Sequence, residues 1–471
     1  MKKLFGVAAT ALLTTALASS AWAQWSSDPM VNLALADNAN GTDQVQPKLV
    51  PAGPRGWYVS WFDADPSTSP PVGYDVFYQR LTAGGVEKFA HDGLRVADLT
   101  NSSTEDYGLD VDAAGNALLA FLDTREGSNQ QVTAAKMGPF GGALWGLRGV
   151  QLTSDSNFHA APKIASTSDG YIVVAWTSNS NVVLQKLDAN GVPQWGSGVV
   201  FSQTGYNNSL ADLHAADNGS VIVSWVNSKG FGSNSQLRAN KVSSSGSLLW
   251  GSGNVDIFDV GSLQFGNFPY FVYDGNGGAV FAWYTNSPLQ CFAQHIRADG
   301  SEAFPHNGVA GSGNTINVRV SPAAAYRPAT DEVFMFWTEE DSNQIVNGVY
   351  GQKFSSTGAL KWGPNGLSIV PLGADQQIFV STVQVGTGAL VFWVDMQGFG
   401  SSTIQAIRLN DVGTTVCPQF PVSSLPSNKS RLAAAIAPSR IAAVAFEDDR
   451  IGNNGIYIQN VNADCTLGPW R

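Results

Sequence analysis

Apolar and polar positions along this chain recur in a unit of 49 to 60 residues. Each unit has an apolar run ending in Trp or Phe, then a polar turn, then a second run with strict alternation. The anchors are Trp61, Phe121, Trp176, Trp225, Trp283, Trp337, Trp393 and Phe446. In the second run, Gln79, Ala135, Gln185, Asn240, Gln294, Gln352, Ile407 and Gln459 each stand six residues before a turn position. That position is Gly85, Gly141, Gly191, Gly246, Gly300, Gly358 or Gly413, and Cys465 in the last unit. Seven glycines at one register predict a positive φ in a tight hairpin. Alternation with period two predicts a half-buried strand.

The full unit reads as four strands, clearest in Pro162 to Ser166, Tyr171 to Trp176, Val182 to Leu187 and Val199 to Ser202. Eight such units predict an all-β, eight-bladed β-propeller of four-stranded antiparallel blades. An aromatic stands four residues past most turn glycines, as in Trp145, Trp195, Trp250, Trp362, Phe89 and Phe304, and is read as filler between blades. The last unit stops short of a fourth strand, whereas Trp25 and the segment at about 29–36 copy one. The N-terminus is therefore expected to complete the last blade, with the other blades following from about residue 46 and sealing the ring against open edges. Arg431 to Phe446 is Ala-rich enough to pass for a helix, but its repeat register predicts two strands.

Residues 1–23 read as an export signal: Lys2 and Lys3, an apolar stretch from Leu4 to Leu17, and Ala21-Trp22-Ala23 before the cut. Cleavage after Ala23 leaves residues 24–471 as one propeller domain, secreted or periplasmic, with no stretch suited to membrane insertion. Loss of the two lysines moves the formal charge from -11 to -13, which argues against nucleic acid as a partner. Of the three cysteines, Cys417 replaces the interblade aromatic of unit seven and Cys465 the turn glycine of unit eight, so adjacent blades are expected to join them in a disulfide. Cys291 is expected to be a buried thiol, and no Cys or His spacing matches a zinc or haem site.

Loops after the second and fourth strands of a propeller blade share one face, and the position two past each anchor falls there. It holds Asp63, Asp123, Glu339, Asp395 and Asp448 on contiguous blades, with Arg125 and Arg450 two residues past their Asp. Neutral Ser178, Asn227 and Thr285 occupy the remaining blades. Turn chemistry explains such residues without any ligand. The functional alternative is an acidic arc that meets a glycan, a basic envelope or extracellular protein, or calcium; no other cofactor is expected. A second ladder, Arg80, Lys136, Lys186, Lys241, His295, Lys353 and Arg408, sits at one position of the third strands in seven of the eight units, with Asn460 the exception. That spacing suits stems packed on the blade rather than a polyanion site.

The stretches Leu187 to Trp195 and Phe354 to Trp362 resemble the Gly-then-Trp blade signature of bacterial eight-bladed quinoprotein dehydrogenases and related outer-membrane assembly propellers. The resemblance covers about a dozen residues per blade, implies fold more than activity, and lacks the adjacent cysteine pair of such dehydrogenases. Other exported propellers cleave acidic polysaccharides with a Tyr, His and Arg set, and Tyr107, His159 and Arg431 stand near the starts of first strands here. The reading the sequence favours is a monomeric, exported, non-catalytic binding or scaffold propeller. Its alternative is a polysaccharide lyase or glycosidase on the same scaffold, and convergent titratable groups at the propeller axis are what separate the two.

Overall fold

The computed structural model describes residues 24–38, 41–53, 56–64, 73–96, 106–124, 127, 129–398 and 400–469. The signal segment lies outside the described residues, as does Arg125. The alternating runs fold into eight four-stranded antiparallel sheets. Blade one runs from Gln44 to Arg95, blade two from Gly108 to Gln151, blade three from His159 to Phe201 and blade four from Asn207 to Phe258. Blade five follows at Phe271–Ala310, six at Val318–Gly373, seven at Gln376–Ser427, and eight at Lys429–Val461. The Ala-rich segment forms the strands Lys429–Ile436 and Ala442–Asp448, so repeat register prevails over helix propensity.

Closure is made by the N-terminal strand Leu33–Ala36, which pairs antiparallel with the last strand through Leu33 and Ile458, and Ala34 and Tyr457. Eight apolar clusters follow, each built from two neighbouring blades. One of them packs Leu33, Leu35 and Ile458 of blade eight on Trp57, Val59 and Trp61 of blade one. The anchors Trp61, Trp225, Trp283, Trp337 and Trp393 are fully buried between blades, each burial contributing roughly 1.5–3 kcal/mol.

A single device repeats at seven of the eight blade junctions. The seven turn glycines all have positive φ, and Cys465 takes the same conformation at φ 68°. The aromatic of each blade lies over the turn glycine of the next. Trp250 sits on Gly300, where an added Cβ would stand 2.8 Å from the indole, and Phe304 sits on Gly358 at 2.9 Å. The indole N–H then donates to a carbonyl of that same turn: Trp145 to Ala189 (3.0 Å), Trp250 to Ala298 (3.0 Å), and Trp25 across the closure to Ala83 (2.7 Å). The recurrent Gln holds the aromatic's own loop. Gln185 donates to Gly196 O (3.0 Å) and accepts from Trp195 N (2.9 Å), and Gln459 reaches Ser26 O (2.8 Å) across the splice. Between blades seven and eight the ring and glycine are replaced by Cys417 and Cys465, which are joined in a disulfide with Cα atoms 6.4 Å apart. The third-strand ladder lies beneath this junction, Lys186 bonding Asp169 (2.8 Å) in its own blade and Ser244 O (2.9 Å) in the next.

Candidate functional site

The first strand of each blade lines the propeller axis, and its side chains decide what the axis contains. In six of the eight blades this strand carries a bulge, and in five of these a non-glycine residue marks it in the left-handed region: Gln46, Ala161, Ser321, Phe379 and Arg431, at φ 49° to 57°, while blade four shifts register between Leu210 and Asp212 without one. Each lies where the pairing register shifts, as between Val45 and Lys48 or Ala160 and Lys163. Left-handed geometry costs roughly 1–2 kcal/mol at such residues, and bulges re-aim the side chains around them. The residue after each bulge pairs with the residue just before the blade anchor. The equivalent positions are Lys48, Gly108, Lys163, Asp212, Ala323, Ser381 and Ala433 in blades one to four and six to eight. Tyr270 immediately precedes the first strand of blade five.

Four blades meet on one carboxylate. Asp106, just ahead of blade two, accepts from Lys48 of blade one and Lys163 of blade three. It also accepts from the Tyr270 hydroxyl at 2.7 Å and its neighbour Tyr107 N at 3.0 Å. Both ammonium groups stand over the Tyr270 ring, Lys163 at 4.9 Å and Lys48 at 5.6 Å from its centroid. Burial alone would raise the Asp106 carboxyl, but the two lysines hold it well below the usual carboxylate range. The Tyr270 ring is exposed on the axial space with its hydroxyl held on Asp106, and desolvation beside that cluster keeps the phenol above its ordinary value. It is a protonated donor at neutral pH.

Below this cluster, His214 meets Asp212 at 3.0 Å. Asp212 also accepts from Phe271 N (3.1 Å) of blade five. Burial pulls the His214 imidazole down, but Asp212 and Asp110 more than offset it, so its pKa is raised. Above the cluster lies an open cavity of about 930 Å³, with Asp106 and Tyr270 in its wall. Its lining comes from the beginnings of first strands and the segments entering them, so it opens on the face that carries the loops after second and fourth strands. Phe158, Phe268 and Phe379 line it as partly exposed aromatic rings, Ser321, Ser381 and Thr382 as hydroxyls, and Arg431 as its cation. Arg431 Nε pairs with Glu447 at 3.3 Å. Polar groups crowd the side formed by blades one to five, whereas Ala323, Ala324 and Ser381 leave room on the side of blades six and seven.

The arc of carboxylates read from the sequence is not a surface in the structure. Asp63, Asp123, Glu339 and Asp448 are all buried, and Asp395 is half-buried. Each pairs within its own blade, most with the residue directly opposite on the first strand. Gln44 donates to Asp63 (3.2 Å), Gln377 to Asp395 (2.8 Å) and Arg319 to Glu339 (2.8 Å). Asp448 is held between Lys429 (3.4 Å) and Arg450 (2.5 Å), and Asp123 accepts from Thr133. Burial pushes Asp63 up to about 6. These positions end second strands, where a partner across the ladder satisfies them below the rim. Tyr107 and His159 also turn away from the cavity: the Tyr107 hydroxyl bonds Ser60 (2.9 Å) and Gln46 O (3.1 Å), and buried His159 bonds Asp155 (3.0 Å). Of that trio only Arg431 reaches it.

Lys48, Asp106, Lys163, Asp212 and Tyr270 were all missed by the sequence reading, though a signal existed. Lys48, Lys163, Asp212 and Tyr270 each stand thirteen residues before their anchor Trp, where Gly108 and Ala433 stand before theirs. Cys291 is buried, and burial pushes its thiol well up.

No protein-family model matches the sequence, and no curated protein does. Among solved structures, the chain is similar to the polysaccharide lyase Uly1, with a TM-score of 0.47 at 9% identity over 91% of each chain. A PL25 ulvan lyase bound to -[GlcA(1-4)Rha3S]- gives 0.46 at 10% over 92% of this chain and 96% of that one. Prolyl oligopeptidase B from Galerina marginata gives 0.47 at 10% over 87% of this chain and 55% of that one. Likeness at this level is one of general strand arrangement and says nothing of activity. The chain described is an eight-bladed β-propeller with an open axial cavity over a four-blade charge cluster.

Proposed function

We propose that this is an exported propeller that binds a polysaccharide segment in its axial cavity and acts on it there. The observation that carries the reading is the convergence of four blades on Asp106, which with Tyr270 stands in the wall of a cavity lined by aromatic rings while Lys48 and Lys163 hold it from behind. A volume of about 930 Å³ suits a short run of sugar units, whose apolar ring faces stack on aromatics while hydroxyls meet Ser and Thr. In this reading Tyr270 presents its ring and hydroxyl to the bound chain, and Asp106 positions that hydroxyl. Arg431 supplies the cation for an acidic substituent, and the exported location rests on the N-terminal signal and the disulfide.

Binding without turnover is a second reading, favoured by the internal balance of the cluster: Asp106 already satisfies two ammonium groups, a phenol and an amide. One screen separates the two. The mature protein is tested against neutral and acidic polysaccharides for retardation in affinity gels and for new chain ends, by reducing-sugar assay and by absorbance of unsaturated products. Turnover abolished by Tyr270→Phe supports the enzyme, binding weakened by Arg431→Ala without new chain ends supports the module, and a panel without any bound polymer removes both.

A further inference from the structure

The connection between the outermost strand of blade four, Val255–Phe258, and the innermost strand of blade five, Phe271–Tyr273, has to cross the open face radially from rim to axis. It carries three exposed aromatic rings in sequence: Phe265 at 84%, Phe268 at 46% and Tyr270 at 58% exposure. Phe231, from the loop after the second strand of blade four, is 98% exposed and stands edge-on to Phe265, with ring centroids 6.0 Å apart at 79°.

This exposure is held in place by the crossing's own hydrogen bonds. Leu263 is buried and its amide donates to Ser235 O (2.8 Å), Gln264 N donates to Tyr284 O (3.1 Å), and Asn267 N donates to Gln264 O (3.0 Å). The Asn267 side chain adds a bond to Tyr284 O (3.3 Å). An anchored loop that keeps rings in water forgoes their burial energy, which is the mark of a binding surface. Phe265 stands against the Phe231 ring and is followed along the crossing by Gly266, Asn267, Phe268 and Tyr270, all four of which line the cavity. A protein partner would be met by a broad patch with a polar rim. A file of separate rings suits successive sugar faces of one chain.

We propose that Phe231, Phe265 and Phe268 form a track of stacking subsites that carries an extended polysaccharide chain from the rim of blade four into the axial cavity. The inference rests on the glycan reading of that cavity and narrows its ligand to long polymers rather than mono- or disaccharides.

The test uses the mature protein, with alginate, polygalacturonate, arabinan and chondroitin as polymers and the disaccharide of each as the short probe. Phe231→Ala, Phe265→Ala and the double variant are compared with Arg431→Ala by isothermal titration. For whichever polymer binds, the double variant is expected to weaken polymer binding about tenfold or more while leaving disaccharide binding unchanged. Arg431→Ala is expected to weaken both probes. Polymer affinity unchanged in the double variant, or a disaccharide bound as tightly as its polymer, overturns the track while leaving the cavity reading standing. Binding of polymer lost in the double variant but indifferent to Arg431→Ala moves the site off the axis and removes the cavity reading instead. A panel in which no polymer binds removes both.

Discussion

Replacing Asp106 with Asn tests whether the axial cluster is an electrostatic keystone. The carboxylate is shared by Lys48 and Lys163, whose side chains are only 24% and 6% exposed. Asn keeps the shape and can still accept from Tyr270, but it removes the carboxylate that both ammonium groups share and leaves Lys163 only the more distant charge of Asp212. Breaking a buried pair in this way costs about 3–5 kcal/mol, and because Asp106 is itself 29% exposed, solvent screening places the expected loss at about 3 kcal/mol. The assay is urea denaturation at pH 7 and pH 3. Asp106 has a depressed folded-state pKa, so its stabilisation is present above the unfolded value near 4 and lost as pH falls below it. The gap between wild type and Asp106→Asn should therefore narrow at pH 3. Adding Lys163→Met to Asp106→Asn removes one stranded charge and should recover at least half of the loss. A single variant as stable as wild type at pH 7, or a double variant no better than the single, would refute the account.

Other outcomes follow from the junctions and the buried rim. Asp63, raised to about 6 by burial, titrates near 4 when unfolded, so folding loses stability as pH climbs from about 4 to 6, by up to about 3 kcal/mol. Asp63→Asn should match wild type near pH 4 and exceed it at pH 7.5 in midpoint of denaturation; equal midpoints at pH 7.5 would show the charge to be solvated. Gly300→Ala combines φ +85° with a Cβ 2.8 Å from Trp250, whereas Gly170→Ala has φ +83° and open space. Gly170→Ala should cost about 1 kcal/mol and Gly300→Ala at least about 2 kcal/mol more, measured by denaturation, because strain and overpacking add. Reduction or a Cys417→Ser, Cys465→Ser pair opens a loop of 48 residues, worth about 4 kcal/mol on the chain-entropy account. A thermal scan unaffected by reductant would contradict that value.

The architecture was legible because its signals repeat. A glycine that must take positive φ beneath a neighbour's indole cannot vary, and where it does, at Cys465, its partner Cys417 varies with it. The axial site was not legible for the complementary reason. Its residues share one repeat position but no residue type, reading Lys, Gly, Lys, Asp, Tyr, then small side chains around the ring. A search for sameness passes over them. The bulges that aim them arise at Gln46, Ala161 and Phe379, residue types that carry no bulge signature. Asp63, Glu339 and Asp448 were misplaced because a strand-end carboxylate looks like a loop residue until register supplies Gln44, Arg319 and Lys429 opposite.

Variation at the axial position is also what allows function to differ from stability. Anchors and glycine junctions hold each blade to its neighbours, so the residue facing the axis adds little to the packed core and is free to change from blade to blade. The cavity exists because blades six and seven place Ala323, Ala324 and Ser381 there instead of larger groups. Ala323→Phe should then fill part of the space while leaving Asp106, Lys48, Lys163, Tyr270 and Arg431 themselves unaltered. Small-to-large changes in a packed core cost about 1–3 kcal/mol, but a side chain entering an open cavity meets no wall, so the expected change in denaturation is below about 1 kcal/mol. Binding of the polysaccharide identified in the screen should fall at least tenfold. Full binding by a stable Ala323→Phe protein would mean that the ligand does not enter the axis and that the polar cluster there serves only to hold five blades together.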